Sequence, residues 1–410
     1  MTNAAKLYTN PPNEWRRETP GCQGWSRSPR PGSARKYFMV SADTHITPPS
    51  KLIAQRIDAK YSDRLPRVER RDDGSMIMHI EGARPARIID AELEGEDAYR
   101  VKAGEVHGEN ATADLEERFA DLDRDGVDAE VVFPNGAAIG AFWTPDPQFA
   151  QAQLRIYNDW AAEISAPYQT RMHIAACIAT GDVETAIGEI VRVANLGFKV
   201  LTLPTHPKPS STGVEARYNH AEYDRLWAAV QDADLTITFH VATAGDPRTA
   251  RGAGGAVINR ALSHHTVVDP IVALCASGIC DRYPKLRFVA VEGGIGWIPA
   301  LLDLMDETYK KHHMWVRPKL QHGLPSDYFR AQGGATFQED RAGLILVEPY
   351  NLGDNFCWGN DYPHQEGTFP HSAAAIEREM QDVRESTRAK MLGLNAARLF
   401  KFDVLERLES

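Results

Sequence analysis

A chain of 410 residues, 43% hydrophobic and 25% charged, has the balance of a globular protein, which argues against disorder and against a membrane protein. Its formal net charge of −10 leaves little for phosphate neutralisation, so no nucleic-acid partner and no anionic membrane surface is expected. The length allows one large α/β barrel with an insertion, or two ordinary domains.

Residues 1–35 are polar and contain Pro11, Pro12, Pro20, Pro29 and Pro31, without an apolar run of signal-peptide length. They read as an extended arm. Trp15 and Trp25 are unusual for a solvated tail, so the arm is expected to pack on the body or on a neighbouring subunit. A homo-oligomer, or a complex with a related chain, follows as the expected assembly. No stretch approaches the length of a membrane span. Cys22, Cys177, Cys275, Cys280 and Cys357 are odd in number and lack metal-type pairing; Cys275 and Cys280 read as packed thiols. This usage suits a reducing cytoplasm.

From Tyr37 onward apolar runs alternate with amphipathic stretches, the mark of repeated β-α units. The expected strands are 36–42, 128–133, 173–178, 198–203, 235–239, 287–291, 333–337 and 355–359, enough for a (β/α)8 TIM barrel over 36–410. Asp182 is placed to cap a helix from Val183 to Ala194, and Ala221–Ala233 reads as another. Residues at about 50–115 break the repeat. There Asp72-Asp73-Gly74 is a turn signal between short alternating strands, giving a small β-rich insertion after strand 1. Past Asp361 the chain turns helical and ends in Leu392–Glu406.

Three of these runs end in the same way. Asp43-Thr44-His45 follows the first, His240 ends the fifth, and Asp361 follows the last. C-terminal strand ends meet at one mouth of a parallel barrel, where distant side chains can share a cation. Asp43 and His45, two apart, point to one face of a regular strand. The plainer alternatives are a turn-capping Asp43, a structural His45 or His240, and a helix-capping Asp361. Neutral imidazoles with carboxylates suit zinc, iron or manganese without choosing among them.

Glu292 follows the sixth strand and opens Glu292-Gly293-Gly294-Ile295-Gly296-Trp297. It can ligate a metal, act as general base, or anchor the loop as a buried carboxylate. His264 and His265 lie between strands five and six as possible acid, base or substrate contacts. His206 follows strand four and is a possible ligand to a second ion or pocket lining. His173, at the wrong end of its strand, reads as structural, and His312 with His313 as solvent-facing.

On Ser41-Ala42-Asp43-Thr44-His45, Phe239-His240, Gly278-Ile279-Cys280-Asp281-Arg282-Tyr283-Pro284-Lys285-Leu286, the Glu292–Trp297 run and Asn360-Asp361-Tyr362-Pro363-His364, the chain resembles the amidohydrolase superfamily. The branch it resembles is that related to aminocarboxymuconate-semialdehyde decarboxylase. The resemblance spans roughly residues 37–402. It implies a distorted (β/α)8 barrel with one divalent ion, usually zinc, at the mouth, and places Asp43, His45, His240 and Asp361 at metal-ligand positions. It also implies decarboxylation or hydrolysis of a small carboxylic acid. Glu292 departs from that pattern where the decarboxylases use a histidine, and His264 or His265 is expected to stand in, His265 being taken as the catalytic one. A carboxylate-richer site also suits iron or manganese, one ion or two, as in relatives that are dinuclear non-haem iron or iron–manganese oxygenases. A third reading is a subunit that supports an active paralogue; the intact set of candidate ligands counts against it.

Overall fold

The structure, a computed structural model, describes residues 37–82, 84–88, 114–207, 217–245, 249–312, 314–315, 319–364 and 367–402. The expected N-terminal arm, Cys22 and His313 lie outside the described residues.

The first strand, β1 (Val40–Ile46), leads into β2 (Arg67–Arg70), β3 (Met76–His79) and β4 (Ala86–Ile88), a small antiparallel sheet of order β2-β3-β4. This is the expected insertion, with Gly74 at φ 82 in the turn between β2 and β3. The barrel resumes with β5 (Ala129–Pro134), β6 (Met172–Ile174), β7 (Ala176–Cys177), β8 (Val200–Leu203) and β9 (Thr236–His240). It ends with β10 (Arg287–Val291), β11 (Gly333–Phe337) and β12 (Phe356–Trp358). All pairings in this set are parallel, in the orders β1-β5-β6 and β7-β8-β9-β10-β11-β12.

The two sheets meet at both ends. Only Ala175 separates β6 from β7, and its N–H donates to Val132 O at 2.9 Å. At the other junction Thr44 and Tyr362 form a parallel bridge, His45 N–H donates to Tyr362 O at 2.7 Å, and Asp361 N–H donates to Asp43 O at 2.9 Å. The result is the eight-stranded TIM-barrel arrangement the sequence pattern predicts.

Strands covered on both faces must be apolar or internally satisfied, which is why they read as continuous runs. Val40, Ala42, Ala129, Val131, Phe133, Val200, Val289, Val291 and Cys357 form one buried cluster with Ala396, Leu399, Phe400 and Phe402 from the C-terminal segment. The alternate residues, among them Ile237, Phe239, Phe288, Ala290 and Phe337, join the larger cluster shared with the helices.

Two expected boundaries differ. The first strand starts and ends about four residues later than 36–42, so Asp43 and His45 lie within it. Its register with β5 slips between Ser41 and Thr44. Such a bulge breaks strict alternation, so interior-cluster residues Val40 and Ala42 are followed on the same side by Asp43 and His45. The terminal helix stops at Phe400, because Lys401 takes a left-handed backbone at φ 62.

The helix Val183–Asn195 starts as expected, with Asp182 accepting from Thr185 N–H at 2.8 Å. Residues 221–232 split into a 3-10 turn, Ala221–Tyr223, and the helix Asp224–Asp232. Cys177, Cys275, Cys280 and Cys357 are free and buried. No helix among the described residues is long and apolar enough to cross a membrane.

Candidate metal centre

Four strand ends bring five side chains to one point. Asp43 Oδ1 lies 3.5 Å from His45 Nε2 and 3.5 Å from His240 Nε2. His45 Nε2 lies 3.2 Å from Asp361 Oδ1, and His240 Nε2 lies 3.5 Å from Glu292 Oε2. All five residues are buried. Ligand atoms of Asp43, His45 and His240 fall within 4.8 Å of one another, as do those of His45, Asp361 and His364.

The atoms left without a hydrogen-bond partner decide what this cluster is for. Asp43 Oδ1, His45 Nε2, His240 Nε2 and Asp361 Oδ2 are all buried and unpartnered. Each such atom costs about 1–3 kcal/mol, more where it is charged. Structural histidines and capping aspartates have their polar atoms bonded; these do not. A divalent cation held between Asp43, His45 and His240 would satisfy three of them at once, with Asp361 beside it next to His45, and the donor types fit one.

The opposite atom of most of these groups is already engaged, which fixes its direction. His240 Nδ1 sits 2.8 Å from Val241 O. A carbonyl only accepts, so Nδ1 carries the proton and Nε2 keeps its lone pair. Asp43 Oδ2 accepts from Gln338 Nε2 at 3.2 Å. Asp361 Oδ1 lies 2.9 Å from His364 Nδ1, and His364 Nε2 lies 3.1 Å from Asn135 Nδ2. His45 is the exception, with Nδ1 also lacking a partner; its ring lies against that of His364, tilted by 30° with 4.0 Å between centroids.

Backbone strain collects at the same strand ends. Glu292 and Asp361 both hold left-handed backbones, at φ 62 and φ 54. Non-glycine residues adopt this region at a cost of roughly 1–3 kcal/mol, and such outliers cluster at functional sites. Gly359 is required for another reason: a Cβ there would come within 2.7 Å of Asp43 Cβ and 2.8 Å of Asp43 N. Only glycine lets the last strand approach the first so closely.

The electrostatics follow from burial and crowding. Burial alone would raise the Asp361 carboxyl, but the hydrogen bond from His364 and the closeness of the His45 ring outweigh it and hold the group well below the usual carboxylate range. The Glu292 carboxyl is pushed up, first by burial and then by the Asp361 charge. For His240, burial opposes protonation, yet the adjacent carboxylates of Asp43 and Glu292 raise its affinity for a proton above that of free imidazole. Protons therefore compete with a cation for His240 even above the ordinary imidazole value of about 6.5. The affinity of the stripped protein for Mn2+ is expected to climb as the pH rises through and beyond the ordinary imidazole range. Calorimetric titration across that range checks this, and a flat affinity contradicts it.

The remaining expected residues fall elsewhere. His265 is exposed on the 3-10 turn His264–Val267, with the ring of His264 6.3 Å away. The short turn sends it outward while Val267 fills the core, so it is not a member of the cluster. His264 is the half-buried one, and its Cβ lies 3.8 Å from where a side chain on Gly293 would begin. His206 Nε2 lies 3.4 Å from Asp269 Oδ2, apart from the cluster. His173 is structural, bonded to Phe400 O at 2.8 Å and stacked on Phe402. His312 is exposed.

Sequence reasoning did not single out His364, Gln338, Asn135 or Arg260. The signal for His364 was present, since a turn between residues three apart brings it back to Asp361. Arg260 Nη1 donates to Glu292 Oε1 at 2.6 Å, from the helix Gly255–Ser263.

Comparison with known proteins agrees with this fold. Curated proteins offer no match. Among solved structures, an amidohydrolase from Mycobacterium avium subsp. paratuberculosis K-10 superposes with a TM-score of 0.69 at 19% identity, over 89% of this chain and 98% of that one. The 5-carboxyvanillate decarboxylase of Sphingomonas paucimobilis gives 0.62 at 22% identity, over 89% and 99%. A dihydroxybenzoic acid decarboxylase from Polaromonas sp. JS666, solved with bound manganese and 2-nitroresorcinol, gives 0.59 at 20% identity, over 91% and 100%. Identities this low speak to the fold. The family model described as amidohydrolase, however, matches residues 42–402, nearly the whole described barrel, and on that match the chain belongs to the amidohydrolase family.

Proposed function

We propose that this protein is a metal-dependent enzyme that decarboxylates or hydrolyses a small carboxylic acid at the barrel mouth. The observation that carries the reading is the convergence of four buried, unpartnered donors from Asp43, His45, His240 and Asp361. Decarboxylases among the similar structures, three of these structures described with manganese, support the choice of chemistry and of a divalent ion.

Asp43, His45, His240 and Asp361 would hold the cation, with Gln338, Val241 O and His364 fixing their orientation. When bound, such an ion polarises a substrate oxygen and lowers the pKa of coordinated water. Glu292 stands beside His240 with one oxygen toward the donors, placed to give or take a proton or to add a further ligand.

A second reading, a dinuclear iron or iron–manganese hydroxylase, is favoured by the three carboxylates and by the second donor group of His45, Asp361 and His364. Against it, Nδ1 of His364 is engaged with Asp361, and both groups draw on the same His45. Elemental analysis of protein purified without chelator tests the choice. One divalent ion per chain is expected. Two iron or manganese ions would establish the dinuclear reading, and a stable fold with no bound metal would defeat both.

A further inference from the structure

We propose that Arg260 is a positioning residue for Glu292: it occupies one carboxylate oxygen so that the other alone is presented to the donor cluster. The proposal rests on reading that cluster as a metal site. Arg260 Nη1 donates to Glu292 Oε1 at 2.6 Å, while Oε2 lies 3.5 Å from His240 Nε2. A carboxylate with both oxygens free can swing between one-oxygen and two-oxygen binding of a cation. A guanidinium on Oε1 removes that choice.

The rest of Glu292 is fixed with equal care. Its N–H donates to Thr336 Oγ1 at 2.9 Å, and its backbone is held left-handed. The next residue, Gly293, has no room for a side chain, since a Cβ would meet Val267 Cγ2 at 2.7 Å. Asp340 Oδ2 accepts from Ile295 N–H at 2.6 Å and Gly296 N–H at 2.7 Å, pinning the loop beyond. With the backbone immobilised, the side-chain rotamer is the remaining freedom, and Arg260 is the group that bonds it.

Arg260 comes from an outlying helix, Gly255–Ser263, whose Val257, Ile258 and Leu262 are 72%, 45% and 57% exposed. The amide of Asn259 ties the start of this helix to Ala250, accepting from its N–H at 2.8 Å and donating to its O at 3.2 Å. Arg260 is thus a reach from a peripheral element into a buried site, its side chain 41% exposed at one end of the ion pair and Glu292 9% exposed at the other.

The test uses full-length protein stripped by chelation and titrated with Mn2+ alone, read by calorimetry and by the electron paramagnetic resonance spectrum of the bound ion. Arg260→Ala is expected to weaken Mn2+ binding about 10–100-fold, the usual effect of removing an outer-shell partner, and to alter the spectrum. Arg260→Lys, which keeps the charge without the fork, should fall between. Glu292→Gln should reproduce the spectral change, and adding Arg260→Ala to it should cost little more, because the two act through one contact. An Arg260→Ala protein with wild-type affinity and spectrum, beside a Glu292→Gln protein that lacks them, would overturn the proposal. So would fully additive losses in the double variant. If wild-type protein itself fails to bind Mn2+ or any other divalent ion, the metal-site reading falls, and the role of Arg260 with it.

Discussion

Asp361→Ala is expected to abolish activity and to weaken divalent-metal binding by more than about 100-fold, beyond the range seen for outer-shell changes, while far-UV circular dichroism stays close to wild type. The carboxylate supplies one donor to the cluster through Oδ2, and through Oδ1 it holds His364 in place. Its backbone N–H, which helps join the last strand to the first, survives the substitution. The metal-free variant should also lose some stability, since the hydrogen bond with His364 goes and alanine tolerates the left-handed backbone less well than aspartate, partly offset by relief of repulsion on Glu292. Unchanged metal affinity in the variant would remove Asp361 from the ligand set.

The second large effect is on folding. Arg118→Met should destabilise the protein by about 3–5 kcal/mol, the cost of leaving a buried charge without its partner. Arg118 and Glu130 are both fully buried. Arg118 Nε and Nη2 donate to the two Glu130 oxygens at 2.8 and 2.6 Å, Nη1 donates to His45 O at 2.7 Å, and Nη2 also reaches Thr44 Oγ1 at 2.9 Å. The pair therefore grips the outer side of the strand segment that presents Asp43 and His45 on the inner side. Urea unfolding measures the loss. In the double variant Arg118→Met/Glu130→Leu, most of it should return, because no charge is then stranded. A loss below about 1 kcal/mol in the single variant would show the pair to be well hydrated instead.

Much of the centre was legible because it obeys strand logic. Asp43, His45, His240 and Asp361 follow or end apolar runs, and the parallel barrel brings such ends together whatever their separation in sequence. Glu292 was legible for the same reason. The slip in register between Ser41 and Thr44 was not, since hydrophobic alternation carries no sign of which residue will be the extra one. Gln338, Asn135 and Arg260 sit on connections between strands, where their direction depends on loop geometry rather than on any period. His265 illustrates the limit: neighbouring residues on a 3-10 turn point about a third of a revolution apart, and only the packing of Val267 decides which histidine faces inward.

The junction between β1 and the segment after β12 has a consequence for how the molecule holds itself shut. Backbone hydrogen bonding there involves Asp43, Thr44, His45, Asp361 and Tyr362, and three of those residues also furnish candidate ligands. An ion gripped by Asp43, His45 and Asp361 would act as a clasp across the place where the cylinder's first stave meets its last. Deuterium uptake by the amides of His45 and Asp361 then becomes a gauge of occupancy, slow when the clasp is fastened and faster once it is removed.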